Sequence, residues 1–292
     1  MPHRRAKLWT SLSTVALMQV YGPAAGAAST VTDEQSAPPA DLALKVGEGE
    51  GEGEGEGEGE GEGEGEGEAG HGTGEFGIDP ARAAEDPVAF LTALEVIRAH
   101  YLAGRAAFDA GDMEAATELF VHPYGEIYID LKPVFADRGV SEFGPLMLSA
   151  ADAVAQGSTV PMVNAKVDEV LAAVDAAAQM APQAGSLDYR QRAAVLADLI
   201  ERAALQYTVV ANGAPGEAYL DGYGYYQAAR TRAQRDLSLV FEQDVRLAQA
   251  IERALALLGR AYPAVPAPDQ PPEILPGDIL AASSAVRLMV GS

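Results

Sequence analysis

The chain has 292 residues, with 20 basic and 43 acidic side chains and a formal net charge of −23. Hydrophobic residues make up 48% of it and aromatics 7%, and cysteine is absent. Such a charge excludes a nucleic-acid partner, because phosphate contacts need a concentrated basic face. Without cysteine there is no disulfide framework, thiol nucleophile or thiolate metal site. The length suffices for one large domain or two small ones.

His3, Arg4, Arg5 and Lys7 form a basic start, followed by a moderately apolar run over 8–20 and an A-x-A site at Ala25-Gly26-Ala27. Residues 1–27 therefore read as an export signal, and the expected location is periplasmic or secreted after cleavage. The apolar run is shorter than the roughly 20 residues of a membrane span, and no later segment qualifies, so no transmembrane segment is expected. Residues 28–77 read as a disordered linker. Within it, 47–68 is eleven uninterrupted Gly-Glu dipeptides. Glycine resists ordering and alternate glutamates repel, which makes an expanded tether. The tract has two readings, a weak collector of cations and a plain spacer. Loose carboxylates make unselective sites, which favours the spacer.

Residues 78–292 read as one helical domain. Leu91, Leu94, Ile97, Tyr101 and Leu102 fall on one stripe and predict a helix over 88–110. Gly111-Asp112 punctuates it, a second helix covers 113–121, and Pro123 opens a third that runs to about 136. Further helices are expected over 141–156, along the Val163, Val167, Val170 and Val174 stripe, over 189–211, 217–235 and 238–259, and finally over 277–290. Asn212-Gly213-Ala214-Pro215-Gly216 is a turn signal, and 263–276 a proline-rich connector. No alternating strand pattern appears. The fold class is all-α, an up-and-down helical bundle of four main helices with extra short ones, preceded by the Gly-Glu tether.

Two of the four histidines, His100 and His122, fall in the bundle. His122, Glu126 and Asp130 step by four along one helix, and His100 lies on the helix before it. Imidazole with carboxylates suits iron, zinc or manganese, and bundles build such sites from facing helices. The alternative is a helix-capping histidine beside a solvated acidic face. A second stepped set, Glu217, Asp221 and Tyr225, is expected at the other end of the bundle, with Tyr219, Tyr223 and Tyr226 crowding the same helix. Phenol and carboxylate are hard oxygen donors, the kind that ferric ion prefers. Here the alternatives are core-edge tyrosines and first-turn acids that complement the helix dipole. No G-x-S-x-G, phosphate-binding loop or H-E-x-x-H motif occurs, and no enzyme is expected.

The stretch from Gly104 through Gly111-Asp112 to Ala116 looks like half of a tetratricopeptide repeat, but no 34-residue recurrence follows. Continued to His122-Pro123-Tyr124-Gly125-Glu126, and with Leu199 to Tyr207 and Glu217 to Asp221, it resembles the periplasmic helical domains associated with bacterial iron uptake, the iron-permease-accessory and imelysin-like group. The likeness covers 90–130 and 196–230. The G-x-H-x-x-E signature of imelysins is absent, since three residues separate His71 from Glu75, and so is a permease R-E-x-x-E helix. The resemblance implies a soluble metal-binding accessory protein, with His122, Glu126, Glu217 and Asp221 as the matching positions.

The sequence thus points to an exported accessory protein that binds a metal cation, iron first and zinc or copper next. Its candidate ligands are His100, His122, Glu126, Asp130, Glu217 and Asp221. An envelope protein or permease is the expected protein partner. The alternative is a non-catalytic helical interaction module in the envelope, with the acidic tract as its spacer.

Overall fold

The computed structural model describes residues 77–214, 216–268 and 273–291. The segments expected to be an export signal and, as far as residue 76, a linker lie outside the described residues. Everything described is helix or connection, with no strand among these residues. The order is α1 (Pro80–Glu85), α2 (Pro87–Asp109), α3 (Met113–Pro123), a π turn (Tyr124–Tyr128), α4 (Ile129–Asp137), α5 (Gly144–Ala155) and α6 (Val160–Ala178). A 3-10 turn (Ala184–Ser186) leads to α7 (Tyr189–Ala211), α8 (Gly216–Gln243), α9 (Val245–Ala261) and α10 (Pro276–Gly291).

Aspartates start these helices. Asp79, Asp86, Asp112, Asp188 and Asp244 each accept a hydrogen bond from a first-turn amide, and Asp188 forms a reciprocal capping box with Gln191. Each cap satisfies an amide that has no partner inside its own helix, a contribution of about 1 kcal/mol. Prolines in the first turn of α1, α2, α5 and α6 cost nothing, because those amides need no intrahelical acceptor.

The core is organised around α2, which packs against α1, α3, α6, α7 and α8. It is buried on nearly all sides, with Phe90, Leu94, Ile97, Tyr101 and Ala107 inside. The α6 stripe behaves as its spacing predicts: Val163, Val167, Val170 and Val174 are all fully buried. Each contributes about 1.5–3 kcal/mol of apolar burial, as an upper bound.

Burial on all sides forces α2 to bury polar groups too, and these are paired. Glu95 accepts from Arg98 at 2.8 Å, Arg235 at 2.8 Å and Arg232 at 3.3 Å. Arg98 and Arg235 also reach Asp175 on α6, and Arg232 and Arg192 share Asp236. Four guanidinium groups and three carboxylates thereby tie α2, α6, α7 and α8 together.

Two element boundaries depart from expectation. The chain does not start a new helix at Pro123; α3 runs through it into the π turn and then into α4 without leaving helical backbone. The break expected near 236–237 falls instead at Asp244. Asp236 faces inward to the guanidinium groups, so it does not signal an exposed turn, whereas Asp244 caps α9 by accepting from the amides of Arg246 and Leu247.

Candidate metal centre

Helix α8 approaches α2 closely because it carries glycine at the crossing. A Cβ on Gly224 would run into the carbonyl of Ala99, well inside contact distance. Gly104 makes the same allowance for the ring of Phe120 on α3. These two contacts bring α3 and α8 onto the same stretch of α2, beside His100.

His100 is 3% exposed. Its Nδ1 lies 2.8 Å from the carbonyl oxygen of Val96, one turn back. A carbonyl only accepts, so Nδ1 carries the proton and Nε2 presents a lone pair. Burial, helped by the charges of His122 and Arg202 and opposed by the Val96 bond, pulls the imidazole pKa down to about 4. The ring is therefore neutral at pH 7.

Nε2 faces Oδ1 of Asp221 at 4.0 Å. With a neutral ring this is not an ion pair. Burial raises the Asp221 carboxyl to about 7; Glu217, Glu118 and Glu126 push it the same way, and His122 opposes them. An imidazole nitrogen and a carboxyl group face each other in a buried setting, with further acids in electrostatic reach. A distance of 4.0 Å is too long for a hydrogen bond. It is within the span of two donors each about 2.1 Å from one cation.

The two stepped sets therefore do not sit at opposite ends of the bundle, as expected from the sequence. Glu217 and Asp221 share an electrostatic neighbourhood with His122 and Glu126. His122 is partly exposed, and its Nε2 lies 3.6 Å from Oε1 of Glu118, one turn earlier on α3. Glu126 is half-buried within the π turn and Glu217 is exposed at the start of α8. Asp130 is exposed on α4, beyond the π turn, and no hydrogen bond or ion pair is described for it. The wider π turn alters the four-residue phase that placed Asp130 beside Glu126.

Sequence reasoning missed three members of this neighbourhood. Glu118 was legible, standing four residues before His122 as Glu126 stands four after. Arg202 and Asp198 on α7 were not, because their relevance arises only from the packing of α7 on α8. Arg202 pairs with Asp198 at 2.6 Å and donates to the hydroxyl oxygen of Tyr225. The Tyr225 ring meets the His100 ring edge-on, with centroids 6.2 Å apart.

Among the described residues, no three His, Asp or Glu side chains stand together as a ready metal-ligand group. The buried pair His100 and Asp221 has the right chemistry for two ligands, and the neighbouring carboxylates suit a cation's charge. Two surface clefts, one beside Val140, Phe143 and Met180 and one beside Arg105 and Tyr223, are lined by other residues. Set against known proteins, the chain matches no family model, no curated protein and no solved structure.

Proposed function

We propose that this is an exported, non-catalytic metal-binding protein whose bundle, built on four main helices, holds a cation, iron first, between α2 and α8. The observation that carries this reading is the buried His100–Asp221 pair. The imidazole is fixed in the metal-ligand tautomer by its bond to Val96, and its Nε2 lies 4.0 Å from Oδ1 of Asp221. Glu118, Glu126 and Glu217 add a negative rim that attracts a cation toward the pair, and His122 stands among them. The loose likeness to iron-uptake accessory domains points the same way, through His122, Glu126, Glu217 and Asp221. Asp130, exposed and on a different phase of the helix, is left out of the ligand set.

Calorimetric titration of the full chain with Fe(II), Fe(III)-nitrilotriacetate, Zn(II) and Cu(II) tests the proposal. Wild type should bind at least one of these ions. Asp221→Asn should weaken that binding roughly tenfold to a hundredfold, while Asp130→Asn should leave it unchanged. Superimposable isotherms for wild type and Asp221→Asn would sink the site.

A further inference from the structure

Asn212 is exposed at the end of α7, and Gly213 follows it. The helix closes on that glycine. Gly213 has a φ of +93° and donates from its amide to the carbonyl oxygen of Val210 at 3.1 Å, and Ala214 donates to that of Val209 at 3.3 Å. This is the paired-bond C-terminal motif in which glycine supplies the left-handed residue. Three other helices close in the same way, α2 on Gly111, α4 on Gly139 and α5 on Gly157. The residues before those glycines are Ala110, Arg138 and Gln156. The motif thus makes no demand on the side chain before its glycine, and the turn does not need asparagine at 212.

What asparagine brings there is chemistry. Its side-chain amide carbon can close a five-membered ring with the main-chain nitrogen that follows. No heavy atom stands within 4 Å of where a side chain on Gly213 would begin, so that side of its nitrogen is open to approach. We propose that Asn212–Gly213 is a self-modifying site, at which Asn212 becomes aspartate and isoaspartate in the folded chain. The ring needs the Asn212 ψ of 7° to rotate. That angle is held by the closing bonds of Gly213 and Ala214, at a helix end that opens without global unfolding. Asn164, the chain's other asparagine, is the contrast. It lies half-buried inside α6, is followed by Ala165, and donates to Oδ1 of Asp109 at 3.3 Å.

The reaction balances with water as its only co-reactant. The Gly213 nitrogen gives its proton to hydroxide and forms a bond to Cγ of Asn212. The Cγ–Nδ2 bond breaks, and the nitrogen leaves as ammonia with a proton from water. Water then opens the cyclic imide. Breaking the new bond to Cγ leaves aspartate on the normal backbone. Breaking the bond to the main-chain carbonyl carbon of residue 212 leaves isoaspartate, with the backbone routed through Cγ. Either product puts a carboxylate at the carbonyl end of α7, against the helix dipole. Isoaspartate also lengthens the main chain by one atom inside the closing motif.

The test is incubation of the full chain in buffer at pH 6 and pH 8, for as long as the urea-unfolded chain takes to convert. Digestion at acidic pH then stops the reaction, and mass spectrometry with electron-transfer fragmentation separates aspartate from isoaspartate. In buffer, the peptide carrying Asn212 should gain the acid form, faster at pH 8 than at pH 6 and with isoaspartate present. The peptide carrying Asn164 should keep its amide. Asn212→Gln should lose the product, because the longer side chain must close a six-membered ring. Gln156 already holds the equivalent position in α5, so this variant is expected to fold. An Asn212 that keeps its amide in buffer throughout the incubation overturns the proposal, since the folded turn then protects it. Conversion of Asn164 at the same rate overturns it too, as does aspartate formed without isoaspartate, which marks direct hydrolysis.

Discussion

Glu95 stands in the middle of a helix buried on nearly all sides, where an aliphatic side chain would be the simpler choice. At 2% exposure its carboxylate survives because three guanidinium groups share it. Replacing such an ion network by apolar residues can be neutral, whereas removing one member strands the others. Glu95→Gln keeps the volume and removes the charge, leaving Arg98 and Arg232 buried with less than their share of carboxylate. The expected loss is about 3–5 kcal/mol, read as a lowered urea midpoint in far-UV circular dichroism. Glu169→Gln, which breaks an exposed pair with Lys166, should cost under about 1 kcal/mol. Equal midpoints for the two variants would mean that Asp175 and Asp236 hold the arginines without Glu95. His100, five residues along the same helix, is the contrasting case. Its charge is suppressed by burial, and it is satisfied by one backbone carbonyl on Nδ1 while Nε2 looks toward Asp221.

At the scale of elements, the close crossing of α8 over α2 decides whether the candidate centre exists. Gly224 has ordinary helical backbone, so its value is the missing side chain and not conformational freedom. Gly224→Ala must push the helices apart, because the obstructing atom is the backbone oxygen of Ala99 and cannot rotate away. Overpacking of this kind costs about 1–3 kcal/mol, and here it also separates Asp221 from His100. Weakened metal binding together with lowered stability is the expected outcome; unchanged affinity would show that the crossing does not set the site. This crossing also marks the limit of what the sequence makes legible. The α6 and α7 stripes could be read because 3.6-residue periodicity is local to one helix. The π turn had no local signal, since Pro123 reads as a helix start and not as a position the helix runs through. Stepped ligand types were visible along the run from α3 to α4 and on α8, but the approach of α3 and α8 depends on two glycines in contact with distant chain, Gly104 with Phe120 and Gly224 with Ala99. Pairwise packing of that kind leaves no period to read.

For the whole molecule, charge and the buried tyrosines pull stability in a predictable direction with pH. Setting aside residues 1–27 and the eleven tract glutamates leaves a charge of −15 on the rest of the chain, so raising the pH adds charge to an already anionic molecule. The core holds several phenols whose ionisation burial opposes. Tyr219, which donates to the carbonyl of Ala264 at 2.6 Å, has its pKa raised to about 12. Burial pushes Tyr101, Tyr225 and Tyr262 upward as well. A folded pKa above the unfolded value of about 10 means that the native state keeps its proton where the unfolded chain loses one. The contribution is fully present below pH 10 and is lost as pH rises through 12 for Tyr219. Each such phenol costs about 1.4 kcal/mol per pH unit across its window. Urea midpoints should therefore stay level from pH 8 to about pH 10 and then fall with a slope that several tyrosines share. Tyr219→Phe should lower the midpoint at pH 8 by the loss of its hydrogen bond, about 1 kcal/mol, yet decline less steeply above pH 10. Parallel alkaline limbs for the two proteins would show that Tyr219 ionises in the folded chain as it does in water, and that its bond to Ala264 does not hold the loop after α9.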